Sequence, residues 1–325
     1  MNVLRISKLL RENVVVLALV LLVAIMSMLT ASFLTSYNIN NILIQISIYG
    51  IVAFGMTIAI ICGEFDLSCG SLMGVVTILF TDIARKMNVP AAILVCVGFS
   101  ILIGLWNGVL VARVKMSAFV ATLASSIALR GFALNYTGGR PINYVNDDIY
   151  RFGNGNVLGI PIIVLFFFGA LLITIYVLRY TKFGRGIYAT GGNMEVARMA
   201  GIDVVFYKIA IFVIMGIATA IAGILMAAQL SAGHALYGSD LALTVVAAVV
   251  IGGTTLTGGK GSALKTLWGM LIIGVLFNAL MILGVQANWQ NVIKGTILII
   301  VVSVDALFSK KKMKLHFSLS KKNTI

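Results

Sequence analysis

The chain has 325 residues, of which 60% are hydrophobic and only 10% are charged. Since a soluble globular protein carries about 25% charged residues, this composition excludes a soluble fold and predicts an integral membrane protein surrounded by the lipid bilayer. The net charge of +14 would suggest nucleic acid binding in a soluble protein. Here the cations lie between apolar runs, where they determine topology, so we expect no nucleic acid partner.

Apolar runs follow one another along the chain, and each is long enough to cross about 30 Å of hydrocarbon as a helix. The first run is about 21 residues long, whereas a cleaved signal peptide has an apolar region of 7–15, so we predict a retained span. In chain order, the predicted spans cover residues 14–34, 42–62, 67–84, 91–112, 117–136, 159–179, 205–229, 241–258, 263–285 and 291–308.

The expected fold class is therefore an all-α polytopic membrane protein with about ten transmembrane helices, forming one transmembrane domain over residues 1–325. If the N-terminus is cytoplasmic, most of the 24 lysines and arginines fall in cytoplasmic joints, as the positive-inside rule requires. We predict that both termini are cytoplasmic.

The stretch ICGEFDLSCGS at residues 61–71 places two acids beside an apolar run. Asp66 is expected to cap the third helix or, with Glu64 and Ser68, to act in a translocation pathway or gate, because acids at membrane depth usually face a cavity. Close helix contacts are predicted for two GxxxG pairs, Gly70 with Gly74 and Gly104 with Gly108.

An offset of 171 residues superimposes Trp106 and Asn107 of the fourth span on Phe277 and Asn278 of the ninth. These spans run in opposite directions in the predicted topology, so the repeat is inverted, as in many transporters. The two asparagines predict either interhelical hydrogen bonds or substrate contacts, and the neighbouring aromatic rings keep the second alternative open.

Two polar joints are long. The joint over residues 137–161 faces the outside and is either a solvated loop or a docking surface for an external partner. The joint over residues 179–204 faces the cytoplasm, and within it Asn193 as N-cap and Gly201 as stop predict a short helix. The candidates for external docking are Arg140, Asp147, Asp148 and Arg151.

Several kinds of chemistry are excluded by the sequence. The run GGTTLTGGKGS at residues 252–262 resembles a phosphate-binding loop, but Thr254 and Gly261 stand where that motif requires Gly and Ser or Thr. We interpret its glycines as a flexible or closely packed turn. The three cysteines and two histidines lack ligand spacing, and we expect no disulfide, metal, bound cofactor or catalytic residue.

Six segments, in this order, resemble the transmembrane permease subunits of bacterial ATP-binding-cassette importers for ribose and similar sugars. Each segment alone is weak, but together they extend over nearly the whole chain and are highly specific. They are GEFDLSCGS (63–71), LWNGVLVARVKMSAFVATLASSIALRG (105–131), TGGRPI (137–142), TKFGRGIYATGGNMEVARMAGI (181–202), AAVVIGGTTLTGGKGS (247–262) and WQNVIKG (289–295).

The resemblance implies an inner-membrane subunit that carries a monosaccharide, a ribose-like pentose or a hexose, delivered by an extracytoplasmic sugar-binding protein. It implies pairing with a second permease subunit, identical or different, and with two cytoplasmic ATPase domains that hold ATP and Mg. It also implies a loop that couples this chain to the ATPase. The positions that match this loop are Asn193, Glu195, Ala197, Arg198 and Gly201.

The chain departs from the family pattern at three places. Ala242, Leu243 and Thr244 replace the usual Glu-Leu-Asp, Glu64 replaces a Gly, and Cys69 replaces a Val. The sugar specificity of better-known members is therefore not transferable. The inverted repeat alone is also compatible with a proton-coupled secondary transporter in which Glu64 and Asp66 relay the proton, whereas a membrane enzyme has no supporting residues.

Overall fold

The computed structural model describes residues 14–286 and, beyond short gaps, residues 288–297, 299, 300 and 303. The two chain ends that we predict to be cytoplasmic, and the last residues of the predicted tenth span, lie outside the described residues. The helices are α1 (Val14–Leu29), α2 (Ser36–Ile61), α3 (Cys69–Lys86), α4 (Val89–Ala112), α5 (Ala118–Thr137), α6 (Asp147–Asn154), α7 (Ile162–Tyr180), α8 (Lys182–Gly192), α9 (Met194–Met199), α10 (Val204–Leu230), α11 (Leu241–Ile251), α12 (Ala263–Ile282) and α13 (288–297).

Six helices of the described part, α2, α4, α5, α7, α10 and α12, are long and apolar enough to cross a membrane. They confirm a mostly helical, polytopic membrane protein. The helix α2 begins at Ser36, earlier than the predicted span, because the Thr35 hydroxyl accepts the backbone N–H of Asn38 and caps the first turn.

The core lies around α2 and α10, which pack against each other. The helix α10 also packs against α3 and α4. The close contact predicted for Gly104 and Gly108 is confirmed. A Cβ atom on Gly104 would lie 2.5 Å from the carbonyl oxygen of Phe212, and one on Gly108 would lie 2.9 Å from the Cα of Ile209. These two glycines therefore allow the backbones of α4 and α10 to touch.

The predicted span 241–258 is wrong, because α11 ends at Ile251. With a rise of 1.5 Å per residue, an 11-residue helix extends about 17 Å, roughly half of the hydrocarbon thickness. The helix is followed by Gly252 and Gly253, and Gly253 has a φ of +88°, which a residue with a side chain disfavours. The apolar run continues past this glycine pair, but the helix does not.

Residues 231–240 lead into α11 as a non-helical segment that lies along α3. A Cβ atom on Gly74 would lie 2.7 Å from the carbonyl oxygen of Ala235, and one on Gly70 would lie 2.6 Å from that of Gly238. The helix contact predicted for Gly70 and Gly74 is therefore wrong in its partner, since these glycines make room for the non-helical segment. The half-length α11 begins where this segment ends.

Short strands lie at the end of the molecule opposite α9. Strand β1 (Ile142–Asn143) pairs antiparallel with β4 (Ala232–Gly233), with Ile142 opposite Gly233. Strands β2 (Asn156–Val157) and β3 (Ile160–Pro161) form a hairpin just before α7.

Candidate functional site

A chain of four buried polar side chains connects the loop before α3 to α4 and α5. The Ser125 hydroxyl donates to Asn107 Oδ1 (2.6 Å), Asn107 Nδ2 donates to Ser68 Oγ (2.9 Å), and Ser68 Oγ donates to Asp66 Oδ1 (2.6 Å). All four residues are buried. Because every donor has a partner, this network fixes the relative positions of three elements.

The prediction that Asp66 caps the third helix is wrong in its placement. The helix begins two residues later than predicted, at Cys69, and Ser68 is its N-cap residue. The Asp66 carboxylate instead accepts the Ser68 backbone N–H (2.7 Å) and so closes the turn before the helix. Burial raises the pKa of Asp66 to about 6, although the hydrogen bonds from Ser68 favour its charged form.

We expect Asn107→Ala to destabilise the protein by about 2 kcal/mol or more, because the change leaves the buried Ser68 and Ser125 hydroxyls without their amide partner. Thermal unfolding in detergent measures this loss. The matched control is Trp106→Leu, since Trp106 is 59% exposed. An equal loss in both variants would contradict a specific role for the network.

Glu64 forms an ion pair with Lys208 on α10, with 2.5 Å between Oε1 and Nζ. Both side chains are only 13% exposed, so the pair lies largely out of contact with solvent. It joins the end of α2 to the start of α10. Asp66, in contrast, has no cationic partner among its described hydrogen bonds and ion pairs.

We expect Glu64→Gln to lower the unfolding free energy by about 1–3 kcal/mol, because the nearly buried Lys208 ammonium then lacks a counter-charge. The double variant with Lys208→Gln should recover part of this loss. A double-mutant cycle measured by denaturation in detergent gives the coupling energy. A coupling near zero would show that the pair contributes nothing to stability.

The effect of Glu64→Gly on transport tests whether this acid has a role besides stability. Unchanged uptake by this variant would show that it has none.

The residues at matched positions of the predicted repeat have different surroundings. Trp106 is 59% exposed on α4, whereas its matched residue Phe277 is 9% exposed on α12. Asn278 is buried and exchanges two amide hydrogen bonds with Asn38 of α2 (3.0 and 2.7 Å). Asn107 and Asn278 therefore both make interhelical hydrogen bonds, which were one of the two predicted alternatives. Of the matched residues, Phe277 lies in the wall of a cavity that is described below.

An ion pair that the sequence did not indicate lies where α11 begins. Asp240 accepts a hydrogen bond from the Tyr49 hydroxyl (3.1 Å) and is paired with Lys294 of α13. Tyr49 is close to the middle of α2, about 19 Å from either end at 1.5 Å per residue. The cluster of Tyr49, Asp240 and Lys294 is thus at about half the depth of the helices.

Asp240 and Lys294 lie in the wall of a cavity of about 470 Å³, a size typical of small-molecule sites. Tyr49 lines a smaller cavity that shares Asp240, Lys294 and Phe277 with the first. The Lys294 ammonium is 4.7 Å from the centre of the Phe277 ring. The remaining polar residues of the wall come from α11, α13 and the segment before α11, and they are Ser239, Thr244 and Asn291. The cavity therefore combines one aromatic ring with both charge signs and several neutral hydrogen-bonding groups.

The helix α9 confirms the short helix predicted from its local signals. Asn193 Oδ1 accepts the backbone N–H groups of Glu195 and Val196 (3.0 and 3.1 Å), and Gly201 follows the helix with a φ of +80°. Ala197 is buried, whereas Glu195 and Arg198 are exposed. Val196 and Met199 are 59% and 88% exposed, so this short helix presents apolar as well as charged side chains.

A glycine junction, made by Gly191, Gly258 and Gly259 against Ile61, connects α8 to the end of α2 and to the turn after α11. A Cβ atom on Gly191 would lie 1.8 Å from the Ile61 carbonyl oxygen, which accepts the Gly259 N–H at 2.8 Å. One on Gly258 would lie 2.7 Å from the Gly191 carbonyl oxygen. Of the two interpretations of the turn 252–262, the closely packed one is confirmed.

The residues predicted to dock an external partner are all exposed at the end of the molecule opposite α9. Asp147, Asp148 and Arg151 belong to α6, whose first turn is capped by Asn146, and Arg140 precedes β1. Within the described residues, no group of three or more His, Cys, Asp and Glu side chains could hold a metal ion.

Long apolar helices around a half-length helix, with an ion pair at half depth beside a cavity, define a membrane transport protein. Residues 38–302 match the protein family described as "Branched-chain amino acid transport system / permease component". The chain belongs to this family and is a multi-pass permease component.

Several relatives are similar to the chain over nearly its whole length. The ribose import permease protein of Escherichia coli (strain K12) is 38% identical, covering 91% of this chain and 94% of the relative. The corresponding protein of Bacillus subtilis (strain 168) is 40% identical, over 89% and 91%. The xylose transport system permease protein of Haemophilus influenzae (strain ATCC 51907 / DSM 11121 / KW20 / Rd) is 31% identical, over 94% and 98%. No solved structure matches the chain significantly.

Proposed function

We propose that this chain is the permease subunit of an ATP-binding-cassette importer in the bacterial inner membrane, and that it carries a monosaccharide, a ribose-like pentose or a hexose. The observation that carries the proposal is the similarity, over nine-tenths of the chain, to permeases named for ribose import. The family description names amino acids instead, so the sugar class rests on these relatives.

The topology proposed with this function has ten spans, an inverted repeat and both termini in the cytoplasm. The six long apolar helices are compatible with it, whereas the half-length α11 takes the place of one of the ten spans without crossing the membrane alone. The proposed partners are a second permease subunit, identical or different, two ATPase domains that hold ATP and Mg, and an extracytoplasmic sugar-binding protein. Arg140, Asp147, Asp148 and Arg151 are the proposed contacts for the binding protein.

The proposed coupling path begins at α9, which docks on the ATPase through Glu195, Arg198 and the exposed apolar side chains between and beside them. Helix α9 directly follows α8, and the glycine junction connects α8 to the turn 252–262, which follows α11. Because these contacts are between backbones, a displacement of α9 would move α11 as a rigid body. The cavity next to Asp240 would change shape with it.

Uptake by the full assembly in proteoliposomes tests this proposal. Labelled ribose should enter only when the ATPase subunits, the binding protein and ATP are all present. If none of a panel of pentoses and hexoses enters, the proposed substrate class is wrong.

A further inference from the structure

The non-helical segment 231–240 and the half-length α11 place the start of a helix and an ion pair at half the depth of the helices. Non-helical backbone at membrane depth is tolerated only where it is buried in protein or lines a water-filled cavity. Here both conditions hold, because α3 buries the first part of the segment and Ser239 and Asp240 reach the cavity. Ionisable residues at this depth mark substrate paths more often than packing contacts.

The chemistry of the cavity wall selects a class of ligand. The charges of Asp240 and Lys294 neutralise each other, so the wall favours a neutral ligand over an anion or a cation. Carboxylate oxygens accept and ammonium groups donate, and the two together match a pair of adjacent hydroxyl groups. The Phe277 ring beneath the Lys294 ammonium adds an apolar surface to this polar wall.

We propose that Tyr49, Asp240 and Lys294, with Phe277, form the binding site for the transported polyol inside the membrane. A neutral polyhydroxy compound enters between the paired charges, donates a hydroxyl to Asp240 and accepts a hydrogen bond from Lys294. Asn291 and Thr244 complete the hydrogen-bonding wall. This inference rests on the proposed function, because it gives a site to the sugar that the importer would carry.

The chain contains a matched control for this site. Asp82 on α3 accepts the Tyr136 hydroxyl (2.5 Å) and is paired with Lys86 (2.7 Å) and Arg85 (2.9 Å), so it repeats the Tyr–Asp–Lys arrangement with one further cation. None of these residues lines the cavity next to Asp240. Paired variants at the two clusters therefore separate loss of an ion pair from loss of a ligand.

The first experiment measures ribose uptake and ATP hydrolysis by the full assembly in proteoliposomes. We expect Asp240→Asn and Lys294→Met each to lower the amount of ribose imported per ATP by about tenfold or more, the factor that corresponds to one charge-assisted hydrogen bond. Asp82→Asn and Lys86→Met should remain within about twofold of the unmodified chain, because neither residue lines the cavity and Arg85 and Lys86 are largely exposed. Equal losses at both clusters, or no loss at either, would overturn the site.

The second experiment detects the ligand in the cavity directly. Cys62, Cys69 and Cys96 are buried, so Leu243→Cys, at a cavity-wall position that is 55% exposed, gives this chain a single accessible thiol. In the assembly, ribose should slow its modification by a methanethiosulfonate reagent, and Lys294→Met should remove this protection. If the unmodified assembly imports ribose but ribose gives the Leu243→Cys thiol no protection, or if that thiol is unreactive because a partner subunit covers it, the site is wrong while the proposed function stands. An unmodified assembly that imports neither pentose nor hexose overturns both.

Discussion

Exchanging the charges of α9, by Glu195→Lys together with Arg198→Glu, is expected to abolish ATP-dependent uptake. Both side chains are exposed on a short helix that is held by the Asn193 cap, so the helix should still form. The exchange keeps the net charge but places a like charge opposite each proposed partner on the ATPase, and like charges at an interface cost several kcal/mol. Co-purification of the ATPase with the tagged chain measures the loss directly.

A matched exchange on α6, Asp147→Lys with Arg151→Glu, controls for the effect of surface charge itself. These residues lie at the end of the molecule opposite α9, so the exchange should leave co-purification of the ATPase unchanged. Normal uptake and ATPase binding by the α9 variant would contradict the coupling role of Glu195 and Arg198.

Gly191→Ala is expected to destabilise the chain and to weaken the link between ATP hydrolysis and uptake. Its Cβ atom would lie 1.8 Å from the carbonyl oxygen of Ile61, and this contact can be relieved only by moving backbone. Such overpacking costs about 1–3 kcal/mol or more, and the displacement would separate α8 from the turn after α11. Thermal unfolding in detergent and the ribose imported per ATP measure the two consequences.

Gly192→Ala provides the control at the adjacent position, because a Cβ atom there has open space within 4 Å. This variant should resemble the unmodified chain in both measurements. If the two alanine variants behave alike, the glycine junction neither supports the fold nor carries the coupling.

Features determined by local sequence were predictable, and α9 is the best example. Its cap, its length and its stop depend on residues from Asn193 to Gly201 alone. The half-length α11 was missed because hydropathy does not distinguish an apolar helix from an apolar run interrupted by glycines with positive φ. The packing of Gly70 and Gly74 was assigned to the wrong partner for a related reason, since a GxxxG pattern does not specify what approaches it.

The cluster at half depth could not be found from any short segment. Asp240 is 191 residues from Tyr49 and 54 residues from Lys294, and only the fold brings them together. A signal was present nonetheless, because Asp240 and Lys294 are lone charges beside or within apolar runs. Ala242 and Thr244 stand where the family usually has acidic residues. The acidic residue of this chain, Asp240, lies one helical turn before Thr244.

Glu64 and Asp66 have partners that the sequence did not show. The structure gives Glu64 a lysine partner and places Asp66 in a hydrogen-bonded network, while a role of the two acids in a pathway, a gate or a proton relay stays a prediction. Acids that hold elements together and acids that contact a substrate have the same sequence signature, and only the fold shows which of them line a cavity.

The most direct test of the account compares two ways of driving ribose across proteoliposome membranes. In one, the purified chain is alone and a proton gradient is imposed. In the other, the chain is assembled with its ATPase and binding protein, and ATP is supplied without a gradient. The account predicts uptake only in the second case, and proton-driven uptake by the chain alone would contradict it.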